Sequence, residues 1–169
     1  ASCCARNTAH QPFAPSPRDL GVVVESAAHA FRAVVEGRGA RLGVHLGAER
    51  PTVACDEGLL VRALQNLIGN AARYVPAGGL VEVSMQARPG SVVVTVGNEG
   101  SSIPPELKDR LFDKFGRVTS GQTGENRGLG LYLCRLVAER HGGTIAVRDR
   151  DGGGVCFDLE LPREPSAPS

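Results

Sequence analysis

Two asparagines, Asn66 and Asn70, stand four residues apart in the stretch LQNLIGNAARYVP. On a helix that spacing projects both carboxamides from one face. Stacked carboxamides suit a hard cation and phosphate oxygens, because each offers a neutral oxygen ligand beside an N–H donor. Arg73 and Tyr74 follow on the next turn. Arg73 brings positive charge for phosphate, and Tyr74 brings a flat apolar face with a polar tip. The same residues alone also fit a solvated polar stripe on an amphipathic helix. A second group lies in VGNEGSSIP, where Asn98 could hydrogen-bond the edge of a base and Gly100 lets backbone approach a flat ring. Alone, this is also an ordinary turn. The third group is Arg127-Gly128-Leu129-Gly130-Leu131, which leads a polar loop into a helix. Glycines there leave backbone N–H groups open to an anion, and the helix dipole adds to the attraction. It is neither a P-loop nor a dinucleotide-binding turn, since GxxxxGK[ST] and GxGxxG are both missing.

The elements that must hold these groups are legible from periodicity. Asp19 is a candidate N-cap for a helix with Leu20, Val23, Val24, Ala27, Ala30, Phe31 and Val34 at helical spacing, ended by Gly37 and Gly39. Leu42, Val44 and Leu46 alternate with polar or small residues, as in a strand, and a short strand is expected at 52–55. Asp56 caps the helix that carries the asparagines, which stops before Pro76. Residues 80–87 and 91–96 read as a hairpin, Pro104-Pro105 opens a short helix through Phe115, and 116–127 is a polar, glycine-rich loop. Residues 129–140 are helical again, and 144–148 with 155–161 form a final hairpin. The expected fold is α+β: a two-layer sandwich with a mixed sheet of about five strands, covered on one face by three helices.

Composition narrows the function. The 169 residues fit one domain, with 41% hydrophobic residues for a core. Nineteen basic and 18 acidic residues leave a net charge of +1, which argues against a nucleic-acid partner or a membrane-surface patch. There is no apolar run of membrane-spanning length and no signal-peptide core, so a cytoplasmic location is expected. The five cysteines are odd in number and include no CxxC pair, which fits buried, reduced thiols. Cys3, Cys4 and His10 have no second ligand pair to complete a metal site.

The order and spacing of the three groups are more specific than any one of them. LxxALQNLIGNAARYVP resembles the N box of the GHKL ATPase superfamily, which has the Bergerat fold, and within it that of sensor histidine kinases. NEGSSIPPEL resembles the first glycine box, RLFDKFGRV the F box, and RGLGLYLCRLVAERHGG the second glycine box with its helix. The resemblance spans roughly residues 19–162 and is nearest to the heavy-metal-sensing subgroup. It implies ATP and Mg²⁺ as cofactors, with Asn70 as the metal ligand and Asn66 supporting the phosphates. Arg73 and Arg117 would reach phosphate oxygens, Arg117 at the terminal phosphate. Tyr74 would flank the nucleotide, and Asn98 would take the place of the adenine-reading aspartate. Gly100, Ile103, Phe115 and Arg127 complete the implied nucleotide-binding set. Residues 116–127 would form the ATP lid, hinged at Gly128 and Gly130, with Leu129 and Leu131 in the pocket floor or the core.

Three departures accompany the resemblance. Asn98 is a neutral amide where the family has a charged acceptor, a difference of about 1 kcal/mol. Its NH₂ group could also soften the choice of adenine over guanine. Ser102 replaces the second glycine of its box. No acceptor box of the HE[LIF]RTP kind is present, and His10, His29, His45 and His141 are read as surface or structural residues. The resemblance therefore implies phosphoryl transfer to a histidine on a separate dimerisation domain, then signalling through a response regulator. The fragment itself is expected to be a monomer. Hydrolytic relatives place a glutamate four residues before the metal asparagine. Asn66 at that position is a poor general base, which favours transfer to a histidine over transfer to water. A nucleotide-binding regulatory module without transfer activity and an anti-sigma-factor-like serine kinase are the alternatives. The expected organisation is a linker at 1–17 from a missing dimerisation hairpin, the catalytic domain at 18–162 and a disordered tail at 163–169. The parent would be an inner-membrane receptor kinase.

Overall fold

The structure, a computed structural model, describes residues 12–113 and 129–163. In chain order the elements are β1 (Ser16–Asp19), α1 (Leu20–Gly37), β2 (Arg41–His45), β3 (Thr52–Cys55), α2 (Glu57–Tyr74), β4 (Leu80–Arg88), β5 (Ser91–Asn98), α3 (Pro105–Lys108), α4 (Leu129–Arg140), β6 (Thr144–Asp149) and β7 (Val155–Pro162). Five strands form a mixed sheet in the order β2-β4-β5-β7-β6, and β1 pairs with β3 in a separate ribbon. The β2–β4 pair is parallel and the other three pairs of the sheet are antiparallel. This is the expected α+β sandwich, with α1, α2 and α4 packed together on one face of the sheet.

Capping and turn chemistry set the boundaries. The Asp19 carboxylate accepts the Val22 N–H at 3.3 Å and starts α1, while Gly39 at φ +78° turns the chain out of it. The Asp56 carboxylate likewise accepts the Leu59 N–H at 3.2 Å and starts α2. The apolar faces of both helices are buried, through Leu20, Val23, Val24 and Ala27 on α1 and Leu60, Leu64, Leu67 and Ile68 on α2. Gly69 lets the two helices meet: the Phe31 ring lies so close that a Cβ at Gly69 would be 3.1 Å from it. Central strand β5 buries Val92, Val94 and Val96 against this layer, facing Leu161, Leu159 and Phe157 of β7 in register. The opposite face of the sheet is polar. Thr95 donates to Asp158 at 2.6 Å, Arg148 pairs with Asp158 at 2.7 Å, and Ser91 donates to Glu160 at 2.7 Å.

Three local expectations are corrected. Ser16 and Pro17, assigned to the linker, form strand β1 with Arg18 and Asp19, in register with Thr52–Cys55. Arg163, assigned to the tail, is held by Glu49 at 2.6 Å and by its own N–H to the Gly90 carbonyl at 3.2 Å. The helix expected from Pro104 through Phe115 is one turn long, after which the chain continues in tight turns through Asp113. In that stretch Leu111 is buried in the core and the Phe112 ring stands edge-on to Phe157 at 6.0 Å. Residues 1–11 and 164–169 of the expected termini lie outside the described residues.

Candidate functional site

Three contacts set the relation of α2 to α4. The Asp56 N–H, just before α2, donates to His141 just after α4, at 3.0 Å. Midway, the Cys134 thiol donates to the Ala63 carbonyl at 3.3 Å. At the far end, a Cβ on Gly130 would lie 3.7 Å from the Asn66 carboxamide. The two helices are therefore antiparallel, and the start of α4 is laid directly against Asn66. Asn70 is half-buried one turn further along α2, and Arg73 is exposed near its end. These placements follow from the apolar positions between them: Leu67, Ile68 and Ala71 are fully buried, which turns the asparagines to the rim of the helix layer.

The end of α2 meets the end of β5. Gly100 has φ +132°, and a Cβ there would lie 3.2 Å from the Tyr74 carbonyl and 3.3 Å from the Pro76 ring. Glycine is needed both for the backbone conformation and for the close approach. Tyr74 itself is 40% exposed. Asn98, the last residue of β5, is 1% exposed and pairs in register with Val81 on one side and Val155 on the other. Its Nδ2 donates to the Glu99 carbonyl at 3.0 Å, whereas its Oδ1 is buried with no hydrogen-bond partner among the described residues. The Glu99 carbonyl can only accept, which fixes the amide with Oδ1 as its open atom. An orphaned buried acceptor costs about 1–3 kcal/mol, so the site suits a ligand that supplies a donor there.

Gly154 was not singled out by the sequence reading. At φ +116° it passes so close behind Asn98 that a Cβ would collide with the Asn98 carbonyl oxygen. Its only signal in the sequence is the run Gly152-Gly153-Gly154, which also fits a plain hairpin turn.

The structure thus brings Asn66 to Gly130, and Asn98 and Gly100 to the Tyr74 end of α2. Ile103 is half-buried against the core and Leu131 is buried within it. Leu129 opens α4. Phe115, Arg117, Arg127, Gly128 and the loop 116–127 lie outside the described residues. The carboxamides of Asn66 and Asn70 fit Mg²⁺ as neutral oxygen donors, provided that phosphate oxygens supply most of the coordination and the charge. Among the described residues no group of three or more His, Cys, Asp or Glu side chains could hold a metal alone. Two buried cysteines are poor nucleophiles: burial pushes the Cys134 thiol up to about 12 and the Cys55 thiol up to about 11. His29 is exposed on α1, and exposed His45 lies 3.5 Å from Glu82. His141 is 7% exposed.

Known proteins with this arrangement are ATPases and sensor kinases. Residues 55–165 match the family described as histidine kinase-, DNA gyrase B-, and HSP90-like ATPase. The chain is 37% identical over 150 residues to sensor protein CutS of Streptomyces coelicolor, covering 86% of this chain and 36% of that protein. It is 40% identical over 134 residues to sensor histidine kinase CusS of Escherichia coli, covering 78% of this chain and 27% of that protein. The chain therefore spans about a third of the length of the curated relatives it matches. The solved catalytic domain of histidine kinase ThkA superposes with a TM-score of 0.79 at 27% identity, over 90% of this chain and 97% of that one. ThkA has also been solved in complex with response regulator protein TrrA, and there it matches at 25% identity with a TM-score of 0.77, over 92% of this chain and 44% of that one.

Proposed function

The chain belongs to the histidine kinase-, DNA gyrase B-, and HSP90-like ATPase family, and we propose that it binds Mg-ATP and donates the γ-phosphoryl group to a histidine on a separate dimerisation domain. The observation that carries this reading is the buried Oδ1 of Asn98 at the end of β5, which has no partner among the described residues. An adenine amino group is the donor that such a fixed acceptor lacks.

The other residues take the roles that the family resemblance implies. Asn98 orients the base, and Tyr74, Gly100 and Ile103 flank it. Asn66, Asn70 and Arg73 face the phosphates, together with the N–H groups at the start of α4 around Gly130. Phe115, Arg117, Arg127, Gly128 and Leu129 belong to the same proposed set. Bound Mg²⁺, held by Asn70, would supply charge neutralisation at the phosphate oxygens. The Asn66 carboxamide has no usable basicity, so nothing at that position activates water. The γ-phosphoryl group would pass from ATP to an imidazole nitrogen, with ADP as the leaving group, and the work of the site is positioning and charge stabilisation.

The rival reading is a nucleotide-binding module without transfer activity, suggested by Asn98 and Ser102. Ser102 is exposed, which leaves Asn98 as the only one of the two inside the site. We assign residues 16–163 to the catalytic domain, since β1 pairs with β3 and Arg163 is tied to Glu49. Among the described residues no helix is long and apolar enough to cross a membrane. We place the domain on the cytoplasmic side of an inner-membrane receptor kinase, with a response regulator downstream, as the sensor-kinase relatives suggest.

The test is calorimetric titration of Mg-ATP into the chain and into Asn70→Ala, followed by transfer of labelled phosphate to an added acceptor hairpin. The expected result is binding by the parent chain, at least tenfold weaker binding by the variant, and transfer to histidine. Binding without transfer would leave the regulatory module standing. No binding by the parent chain would overturn both.

A further inference from the structure

The nucleotide reading uses only one end of the α2–α4 pair. At the other end, four residues meet that it does not use: Phe13, Ala14, Asp56 and His141. Asp56 is a three-way connector. One carboxylate oxygen caps α2 through the Leu59 N–H at 3.2 Å, and the other accepts the Ala14 N–H at 3.2 Å. Its backbone N–H donates to His141 Nε2 at 3.0 Å. That bond fixes the tautomer, because a nitrogen that accepts carries no proton. His141 Nδ1 is then the N–H that donates to the Val137 carbonyl in the last turn of α4, at 2.7 Å. Half-buried Phe13 stands edge-on to the His141 ring, with centroids 4.9 Å apart. Beyond it, β1 pairs with β3, and the Leu20 N–H donates to the Pro51 carbonyl at 3.1 Å.

The chain segment at 13–14 is therefore bonded to the first turn of α2 and packed on the last turn of α4 at once. Ten residues along α2, a distance of about 15 Å at helical rise, Asn66 meets Gly130. Both helices are continuous between the two points, and the Cys134 bond to Ala63 ties them midway. A packed pair of helices transmits a change of register along its length rather than absorbing it.

We infer that residues 13–14 dock at this junction to hold the helix pair, and that Phe13 and His141 are positioning residues for the nucleotide site. They hold α2 and α4 in the register that sets Gly130 against Asn66. The inference rests on the proposed function only for its nucleotide readout, since the coupling between the helix ends is a property of the free chain.

The experiment compares the parent chain with Phe13→Ala, His141→Ala and His141→Gln. Amide hydrogen exchange is followed without nucleotide, and Mg-ADP affinity is measured well below each variant's melting temperature. In Phe13→Ala and His141→Ala, exchange should quicken about tenfold at Ala14 and Asp56 and also at 130–134, while the Mg-ADP Kd rises about fivefold. His141→Gln carries an amide oxygen that can accept the Asp56 N–H, and it should return both readouts to within twofold of the parent. Faster exchange confined to residues 12–20, with Kd unchanged, would show a plain anchor and overturn the inference. So would a His141→Gln variant as impaired as His141→Ala. If the parent chain binds no Mg-ADP, the proposed function fails, and exchange at 130–134 alone decides the inference. If one alanine variant does not fold, the other decides by the same readouts.

Discussion

Asn98 is where the site departs most from the pattern its sequence resembles, and it is also the residue the structure constrains most tightly. A neutral amide could in principle present either its oxygen or its NH₂ to a base. The Glu99 carbonyl removes that choice by taking Nδ2 at 3.0 Å. The softened adenine preference expected from an asparagine is therefore not what this geometry predicts. Guanine carries a carbonyl where adenine carries its amino group, and two acceptors would face each other. We predict that ATP binds at least tenfold more tightly than GTP, and that Asn98→Ala loses about tenfold in ATP affinity, roughly 1.4 kcal/mol. The same variant should change thermal stability little, because it deletes an acceptor left unpaired among the described residues, which offsets the loss of the Nδ2 bond to the Glu99 carbonyl. Competition binding with both nucleotides and a melting curve check the two statements. A variant that bound GTP and ATP equally well, as its parent did, would remove Asn98 from the base-reading role. The residue type and its place after a strand were legible in the sequence. The orientation of its amide was not, because that depends on the path of the next peptide.

Between elements, the glycine run 152–154 and the α2–α4 pair carry separate predictions. Gly154 abuts the Asn98 carbonyl from the β7 side, at a positive φ that other residues adopt only with strain. Gly154→Ala should cost at least about 2 kcal/mol of stability or shift the end of β5, and denaturant unfolding with ATP titration would separate the two. Sequence reasoning placed this hairpin correctly but could not see what it packs against, since β5 and β7 pair across more than fifty residues. Strand β1 escaped for another reason: it has four residues, one of them Pro17, and no alternating pattern. Long periodic helices were legible because burial on one face writes itself into spacing. The single-turn α3 was overextended because Leu111 and Phe112 look like a continuing helical face until Phe157 is placed opposite.

The buried thiols carry a pH prediction across the helix layer. Cys134 bridges α4 to α2, and Cys55 closes β3 just before α2. Burial raises both above the ordinary 9.0, to about 12 and about 11. The unfolded chain ionises these thiols at lower pH than the folded chain, so unfolding releases protons in alkali. Their contribution to stability is full below about pH 9 and is lost as pH rises through the folded values of about 11 and about 12. Urea titrations at pH 8 and pH 10.5 should show the loss, and a Cys55→Ala, Cys134→Ala double variant should reduce it, leaving the share of Cys156, whose thiol burial also raises. A slope unchanged in the double variant would assign the alkaline loss to other groups.

At the scale of the whole molecule, the fold separates tasks by face. The helix layer carries the asparagines, and β5 delivers Asn98 to its edge. The other sheet face is tied by polar pairs such as Thr95 with Asp158. Among the described residues no histidine stands at the site: exposed His29 and His45 sit on α1 and β2, and buried His141 is engaged through both ring nitrogens, while His10 lies outside the described residues. If the proposed function holds, transfer must await an encounter with a second folded unit, and its rate must depend on concentration. A tethered acceptor experiences an effective concentration of about millimolar, so a free one at micromolar levels should be slower in proportion. We predict that the chain with Mg-ATP alone releases phosphate slowly, because the Asn66 amide activates no water. Adding a separately folded acceptor hairpin should give histidine-linked phosphate at a rate linear in hairpin concentration through the micromolar range. Rapid phosphate release without the hairpin, abolished in Asn66→Ala, would instead identify a hydrolase, with Asn66 orienting water rather than phosphate.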